Sequence, residues 1–245
     1  MQIDPTGTVE GQHGEARSDS ASHELSFRRR WGLAAALKRS LVQRLARVLG
    51  IRIYGIFMRS IGPVAEQDPI VTGFSFRVYE RGDEAELLAA AIRPELGLTS
   101  TFIAAAFAKG DVCEAALRNG EIVSFAWSAF TPTHCHDGVF IRFDERARYS
   151  YFAYTLPAYR GRHLFLQFNP ARDRYVAARG CTTSVAYISI DNKPSIARSL
   201  AAGNQRIGLA GYFRKGPFFL PIHSRAVKDA GVRFFMPDTS DSAQG

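Results

Sequence analysis

The sequence predicts an α/β protein with a basic helical extension at its N-terminus, and three stretches carry that reading. Residues 148–203 run strand, basic turn, helix, strand and Asn-started helix. An Asn119-Gly120 pair separates two apolar segments and specifies a tight hairpin, because both central residues of such a turn need positive φ. Residues 25–65 contain no Asp or Glu, while Leu33, Leu37, Leu41 and Leu45 recur at i, i+4 among arginines, the pattern of an amphipathic helix.

The chain has 245 residues, is 46% hydrophobic, and carries 31 Lys and Arg against 23 Asp and Glu, a formal charge of +8. That length supports one sizeable core with appendages. The charge favours acidic partners or serves solubility alone. Residues 1–24 are polar and rich in Gly and Ser, without the charged start and apolar core of a secretory signal. They are expected to be disordered and the protein cytoplasmic. Residues 25–65 then read as a basic amphipathic helix, joined by Trp31, Val48 and Leu49 and stopped by Gly50, followed by a linker. Two uses fit this helix. Residues 25–50 can lie peripherally on an anionic membrane surface, where each basic side chain contributes about 1 kcal/mol. Alternatively the leucines pack on the domain and the arginines stay solvated. No window approaches the roughly 20 apolar residues of a transmembrane helix.

The main domain is expected over 66–236, with 237–245 a frayed polar tail. Residues 51–57, within the linker, alternate loosely as a strand, and 73–79 make a better one. Two helices over 81–92 and 99–109 are separated by Pro94 and Gly97, and the hairpin follows with arms 111–118 and 121–127. Residues 131–137 read as a polar loop holding His134, Cys135 and His136, and 138–143 as a strand. Adjacent side chains on an extended segment point to opposite sides, and neither further ligands nor a C-x-x-C spacing is evident, so no metal is expected. Residues 148–155 are aromatic and apolar without helical spacing, a buried strand that stops at Leu156-Pro157. A single helix is expected from Leu164 to Gly180. A helix beginning just after a strand leaves backbone N–H groups unpaired at its positive dipole end, and Arg160 and Arg162 stand beside it, which suits phosphate. The β-branched run 182–190 is a further strand. Asp191 or Asn192 caps the helix 195–202, with Pro194 in its first turn and Gly203 at its end. Closing strands are expected over 207–213, 217–222 and 232–236.

Over 110–215 the order strand, Thr155-x-Pro157-x-Tyr159-Arg160-Gly161-Arg162, helix, strand, Asn192-x-x-Ser195, helix, Gly203 resembles the acyl-CoA-binding core of the GNAT family of N-acetyltransferases. The resemblance implies a central mixed sheet flanked by helices. It also implies acetyl-CoA or another acyl-CoA as co-substrate and an amine-bearing small molecule or peptide as acceptor. Carried onto this chain, it assigns the thioester and pantetheine to the backbone of Tyr154, Thr155 and Leu156, helped by Asn192 and Ser195. The pyrophosphate falls to the turn of Arg160, Gly161, Arg162, His163 and Leu164. His163 and Phe165 replace small residues of the family's signature, which let backbone approach phosphate closely. Ser199 stands where many members carry a tyrosine that protonates the departing thiolate.

Acyl transfer to an amine needs a base for the ammonium and stabilisation of the thioester oxygen. Candidates for the base are His134, His136 and Tyr151, or a chain of waters. For the thiolate, Tyr187 and Tyr212 are alternatives to Ser199, a poor acid. The leading reading is thus an N-acyltransferase using acyl-CoA. A second takes the acyl group from acyl carrier protein, whose acidic surface arginines can meet. A third is a non-catalytic module that binds a membrane or partner. No nucleic-acid-binding motif accompanies the charge.

Overall fold

The structure, a computed structural model, describes residues 49–62, 71–136 and 138–237. The polar segment 1–24, the basic helix expected before Gly50 and the tail from 238 onward lie outside the described residues.

Asn119 and Gly120 take φ of 53° and 82°. They join β3 (Val112–Arg118) to β4 (Glu121–Ala129) in the expected antiparallel hairpin. Replacing Gly120 with Ala puts a Cβ into that left-handed turn and is expected to cost about 1–2 kcal/mol, read as a lower urea midpoint at constant m. β2 (Ser75–Tyr79) pairs with β3. Between these strands, α1 (Glu84–Ala90) and α2 (Ser100–Ala108) bury Leu87, Ile103 and Phe107 in the same core as Phe125 and Trp127 of β4. Thr99 caps α2 by accepting from the Phe102 N–H. β7 (Ala147–Thr155) lies antiparallel to β4, and β8 (Thr183–Ser189) runs parallel to β7. A hairpin of β9 (Gln205–Lys215) and β10 (Phe218–His223) ends the sheet.

The strand before all of these, β1 (Ile51–Ser60), belongs to the middle of the sheet. It lies antiparallel between β8 and β9, giving the order β10-β9-β1-β8-β7-β4-β3-β2. The sheet therefore begins at Ile51, inside the stretch read as linker, rather than after residue 66. Its alternation is weak because Tyr54, Gly55, Ile56 and Phe57 are all buried, as expected for a strand covered on both faces.

Three other expectations are corrected. The loop expected over 131–137 contains β5 (Thr133–His136), which pairs with β6 (Val139–Arg142). β11 (Arg233–Phe235) joins β6, so it closes this separate three-stranded sheet rather than the main one. The helix expected from Leu164 to Gly180 is two helices, α3 (Leu164–Gln167) and α4 (Asn169–Ala178), with the break at Phe168. Pro170, which has no N–H to donate, fits only the first turn of a new helix. α5 (Lys193–Ala201) follows β8, and the short α6 (Arg225–Asp229) follows β10.

One face of the β7-β8-β1-β9 half is packed by the small sheet through Val139, Ile141 and Phe234 against Tyr149, Val185 and Tyr212. On the opposite face α4 is tied down by charge. Glu114 of β3 accepts from Ser128 Oγ at 2.9 Å, Arg148 Nη1 at 3.1 Å and Arg172 Nε at 2.7 Å. Arg59 of β1 makes two bonds to Asp173, at 2.7 Å and 2.5 Å. These pairs fix α4, the second helix after the basic turn.

Candidate active site

β7 and β8 stay together for three residue pairs only, Ala147↔Thr183, Arg148↔Ser184 and Tyr149↔Val185. Beyond them β7 keeps to β4 as far as Thr155, and β8 keeps to β1 as far as Ser189. The two parallel strands part, and their facing edges carry backbone groups without a strand partner among the described residues. A bulge accompanies the parting. Trp127 faces Tyr151 while Phe125 faces Tyr154, so β7 has an extra residue, and Phe152 there takes φ of 39°. The basic turn and the N-terminus of α5 both lie outside the carboxyl ends of this parallel pair, the place where open α/β sheets bind ligands.

The turn is a single 3-10 turn, Pro157–Tyr159, followed by Gly161 at φ 76° and His163 at φ 51°, both left-handed. The N–H groups of residues 161–165 donate to no backbone carbonyl among the described residues. Arg160 Nε donates to the Thr155 carbonyl at 3.2 Å and Gln167 Nε2 to the Arg162 carbonyl at 2.7 Å, which pins both ends. A Cβ at Gly161 would meet nothing within 4 Å, so the turn is open to a ligand. The bulky Phe165 does not stand idle over it: its ring is engaged by Arg172, whose guanidinium carbon is 4.7 Å from the ring centroid. Unpaired amides beside exposed Arg160, Arg162 and His163 fit a pyrophosphate.

Three tyrosines mark the parting itself. The Tyr149 ring is stacked on Tyr151 at 5.7 Å and on Tyr187 at 5.5 Å, within 12° and 11° of parallel. Tyr149 belongs to the last strand pair, and the other two lie two residues further along β7 and β8. Tyr151 donates to Asp111 Oδ2 at 2.5 Å, and Lys109 Nζ is 2.8 Å from the same oxygen. Asp111 Oδ1 is buried without a hydrogen-bond partner among the described residues. Burial pushes the Asp111 carboxyl up against the opposing Lys109 ammonium and Tyr151 hydroxyl. Burial, then the Asp111 charge, raises the Tyr151 hydroxyl well above its ordinary range. Across the parting, the His136 ring stands edge-on to Tyr187 at 6.2 Å, and its Nε2 is 2.5 Å from the Tyr54 hydroxyl. Burial raises that phenol well above its ordinary range, and it shares a hydrogen bond with His136 Nε2.

The fold is GNAT-like. The large mixed sheet flanked by helices, with the basic turn beyond one strand, is what the sequence resemblance implies, although β1 enters that sheet from the stretch read as linker. No family profile matches the sequence, and no curated protein sequence matches it. Among solved structures, a tandem GNAT protein from the clavulanic acid biosynthesis pathway aligns with a TM-score of 0.44 at 15% identity, over 67% of this chain and 55% of that one. This chain thus spans about half the length of that tandem protein. A GCN5-related N-acetyltransferase from Kribbella flavida aligns with a TM-score of 0.41 at 16% identity, over 81% and 66% of the two chains. The aminoglycoside N-acetyltransferase AAC(6′)-Iy, in complex with coenzyme A, gives 0.41 and 17% over 65% and 99%.

Within this GNAT-like frame the residues singled out in the sequence divide. Tyr151 stacks on Tyr149 on one side of the parting, and His136 stands against Tyr187 on the other. His134 does not join them: its Nε2 accepts the Gly138 N–H at 3.2 Å and its ring stands edge-on to Phe140, so it secures the β5-β6 turn. Burial pushes the Cys135 thiol between them up to about 12, which keeps it protonated near neutral pH. Among the described residues, no three His, Cys, Asp or Glu side chains are grouped to hold a metal ion. The Leu156 amide is already donated to the Val123 carbonyl at 2.9 Å, so it is not the group that meets a thioester oxygen. Thr155 Oγ1 is paired with Ser124 Oγ at 2.6 Å, and the Tyr154 carbonyl accepts from the same hydroxyl at 3.1 Å. Asn192 Oδ1 caps α5 through the Ser195 N–H at 3.1 Å, which leaves its NH2 group for a ligand. Ser199 sits at the end of α5, its hydroxyl buried and its carbonyl accepting from Asn204. Lys109 and Asp111 were missed. A lone carboxylate between Gly110 and an apolar strand is a visible signal, but nothing in the sequence says which distant side chain it meets.

Proposed function

We propose that the protein is an N-acyltransferase that moves an acetyl or other acyl group from coenzyme A to an amine. The observation that supports this most is the parting of β7 from β8 at the tyrosine stack, with a turn of unpaired amides at the same end of the pair. Amides of the pantetheine arm can complete the open strand edges. The pyrophosphate would then meet the amides of residues 161–165 with Arg160, Arg162 and His163 around it.

In the reaction the neutral amine nitrogen bonds to the thioester carbonyl carbon, the C–S bond breaks, and its electron pair leaves on sulfur. The amine proton goes to His136, the imidazole nearest the parting, and the thiolate takes a proton from Tyr187. Tyr187 is re-protonated at the expense of the proton on His136, relayed by water, so proton count and charge balance. Lys109 and Asp111 hold Tyr151 on the opposite wall. In this reading Tyr187 takes the role the resemblance gave to Ser199.

The test is thermal. At a hundredfold excess over its dissociation constant a ligand adds about 2.7 kcal/mol. Acetyl-CoA should then raise the melting temperature by about 5–10 °C for a chain of this size. Arg160→Glu should remove the rise while the unliganded protein melts as before. An unshifted wild-type melt would turn the reading towards a carrier-bound donor or a non-catalytic module.

A further inference from the structure

Where the start of β1 runs beside β9 and β10, the main sheet is packed on one face and, among the described residues, bare on the other. The register places Ile51 and Ile53 of β1, Leu209 and Phe213 of β9, and Phe218, Leu220 and Ile222 of β10 on one face. Their alternates Tyr54, Ala210 and Tyr212 are buried against the small sheet. Ile53, Leu209, Phe218, Leu220 and Ile222 are 40% to 57% exposed. Strands apolar on both faces belong inside a layered structure, and soluble proteins rarely leave such a patch uncovered.

What covers it is argued from where the described chain begins. Leu49, itself 45% exposed, and Gly50 lead straight into β1. Gly50 is left-handed at φ 74°, and a Cβ there would come within 1.9 Å of the Arg214 carbonyl oxygen. Its own carbonyl accepts the Arg214 N–H at 2.9 Å. A left-handed glycine directly after the last apolar residue is the stop signal of a helix, and this one is clamped to β9, the middle strand of the bare face. Upstream of it Leu33, Leu37, Leu41, Leu45 and Leu49 repeat at i, i+4, and residues 25–50 hold no acid and seven Lys or Arg. A helix over 31–49 would be about 28 Å long and about 10 Å across. Three strands about 4.8 Å apart, the longest of them about 35 Å, match that footprint.

We propose that residues 31–49 form a helix that folds back from Gly50 and seats its leucines on the bare face of β1, β9 and β10, leaving its basic side chains outward. The proposal is independent of the acyl-transfer reading. It is tested on the full chain with Leu220→Asp, Leu41→Asp and the double variant. Each single change should lower the melting temperature by about 5 °C. The double variant should lose clearly less than the sum, because contacting residues are not additive. The wild type should stay monomeric by light scattering at all concentrations. Should an aspartate variant fail to fold, Leu220→Ser and Leu41→Ser read the same cycle. An unchanged melt for Leu220→Asp, or strictly additive losses, overturns the proposal. So does a concentration-dependent dimer that Leu220→Asp abolishes, which gives the face to a second copy. Flotation with phosphatidylserine vesicles that Leu41→Asp abolishes without changing the melt gives the stripe to a membrane instead.

Discussion

Glu114→Gln is expected to lower the melting temperature by about 6–20 °C, the largest stability loss of any conservative change in the described structure. Removing one partner of a buried ionic cluster costs about 3–5 kcal/mol, and a chain of this size loses about 2–4 °C per kcal/mol. Glu114 is fully buried and is the carboxylate shared by Arg148 and Arg172, both buried themselves. Glutamine keeps the shape and strands two guanidinium charges. Burial alone would raise the Glu114 carboxyl, but the charges of Arg148 and Arg172 outweigh it and hold the group below its ordinary range. The sign with pH follows. The cluster's contribution is complete above the unfolded carboxyl value of about 4.3 and disappears as pH falls through the lower folded value. Acid unfolding monitored by circular dichroism should therefore be steep below about pH 4 in the wild type and shallower in Glu114→Gln. Equal slopes would remove Glu114 as the group responsible.

His136→Ala should lower kcat by about a hundredfold, the usual size of a lost proton-transfer group. His134→Ala should stay within about threefold, since that ring serves a turn rather than a reacting atom. Both variants would be assayed with acetyl-CoA across a panel of primary amines, following free thiol. Two sequence neighbours of the same type thus receive opposite predictions, and only their partners separate them: Tyr54 and Tyr187 for one, Gly138 and Phe140 for the other. Equal losses in both would move the base elsewhere, with Asp111 and its unpartnered oxygen next in line.

What the sequence made legible was whatever local chemistry dictates. Asn119-Gly120 demands its turn, Pro157 ends its strand, and Asn192 caps its helix through the residue three positions on. Each depends on a φ value, a missing donor or a short side chain within four residues. What stayed hidden depends on partners far along the chain. β1 shows little alternation because its middle, residues 54–57, is buried on both faces. Residues 133–136 look like a loop until the edge of β6 pairs with them. Pro170 is the exception, a local signal for a new helix that the apolar run around it masked. For the site, Tyr151 and His136 were within reach as residue types, but Lys109 and Asp111 gain meaning only once the end of α2 is brought against β7.

The place of β1 bears on how the molecule is made. Tyr54 pairs with Ser189, 135 residues later in the chain, and Ile51 with Phe213. On the ribosome β1 emerges before the strands that flank it and must wait until residues 183–213 have been made. The half from β2 to β7 can assemble from near neighbours in the meantime, so a late act of folding is the threading of β1 between β8 and β9, both made well after it. A nascent chain stalled before residue 189 would hold a formed half-sheet and an unsatisfied apolar strand, the kind of intermediate that chaperones bind.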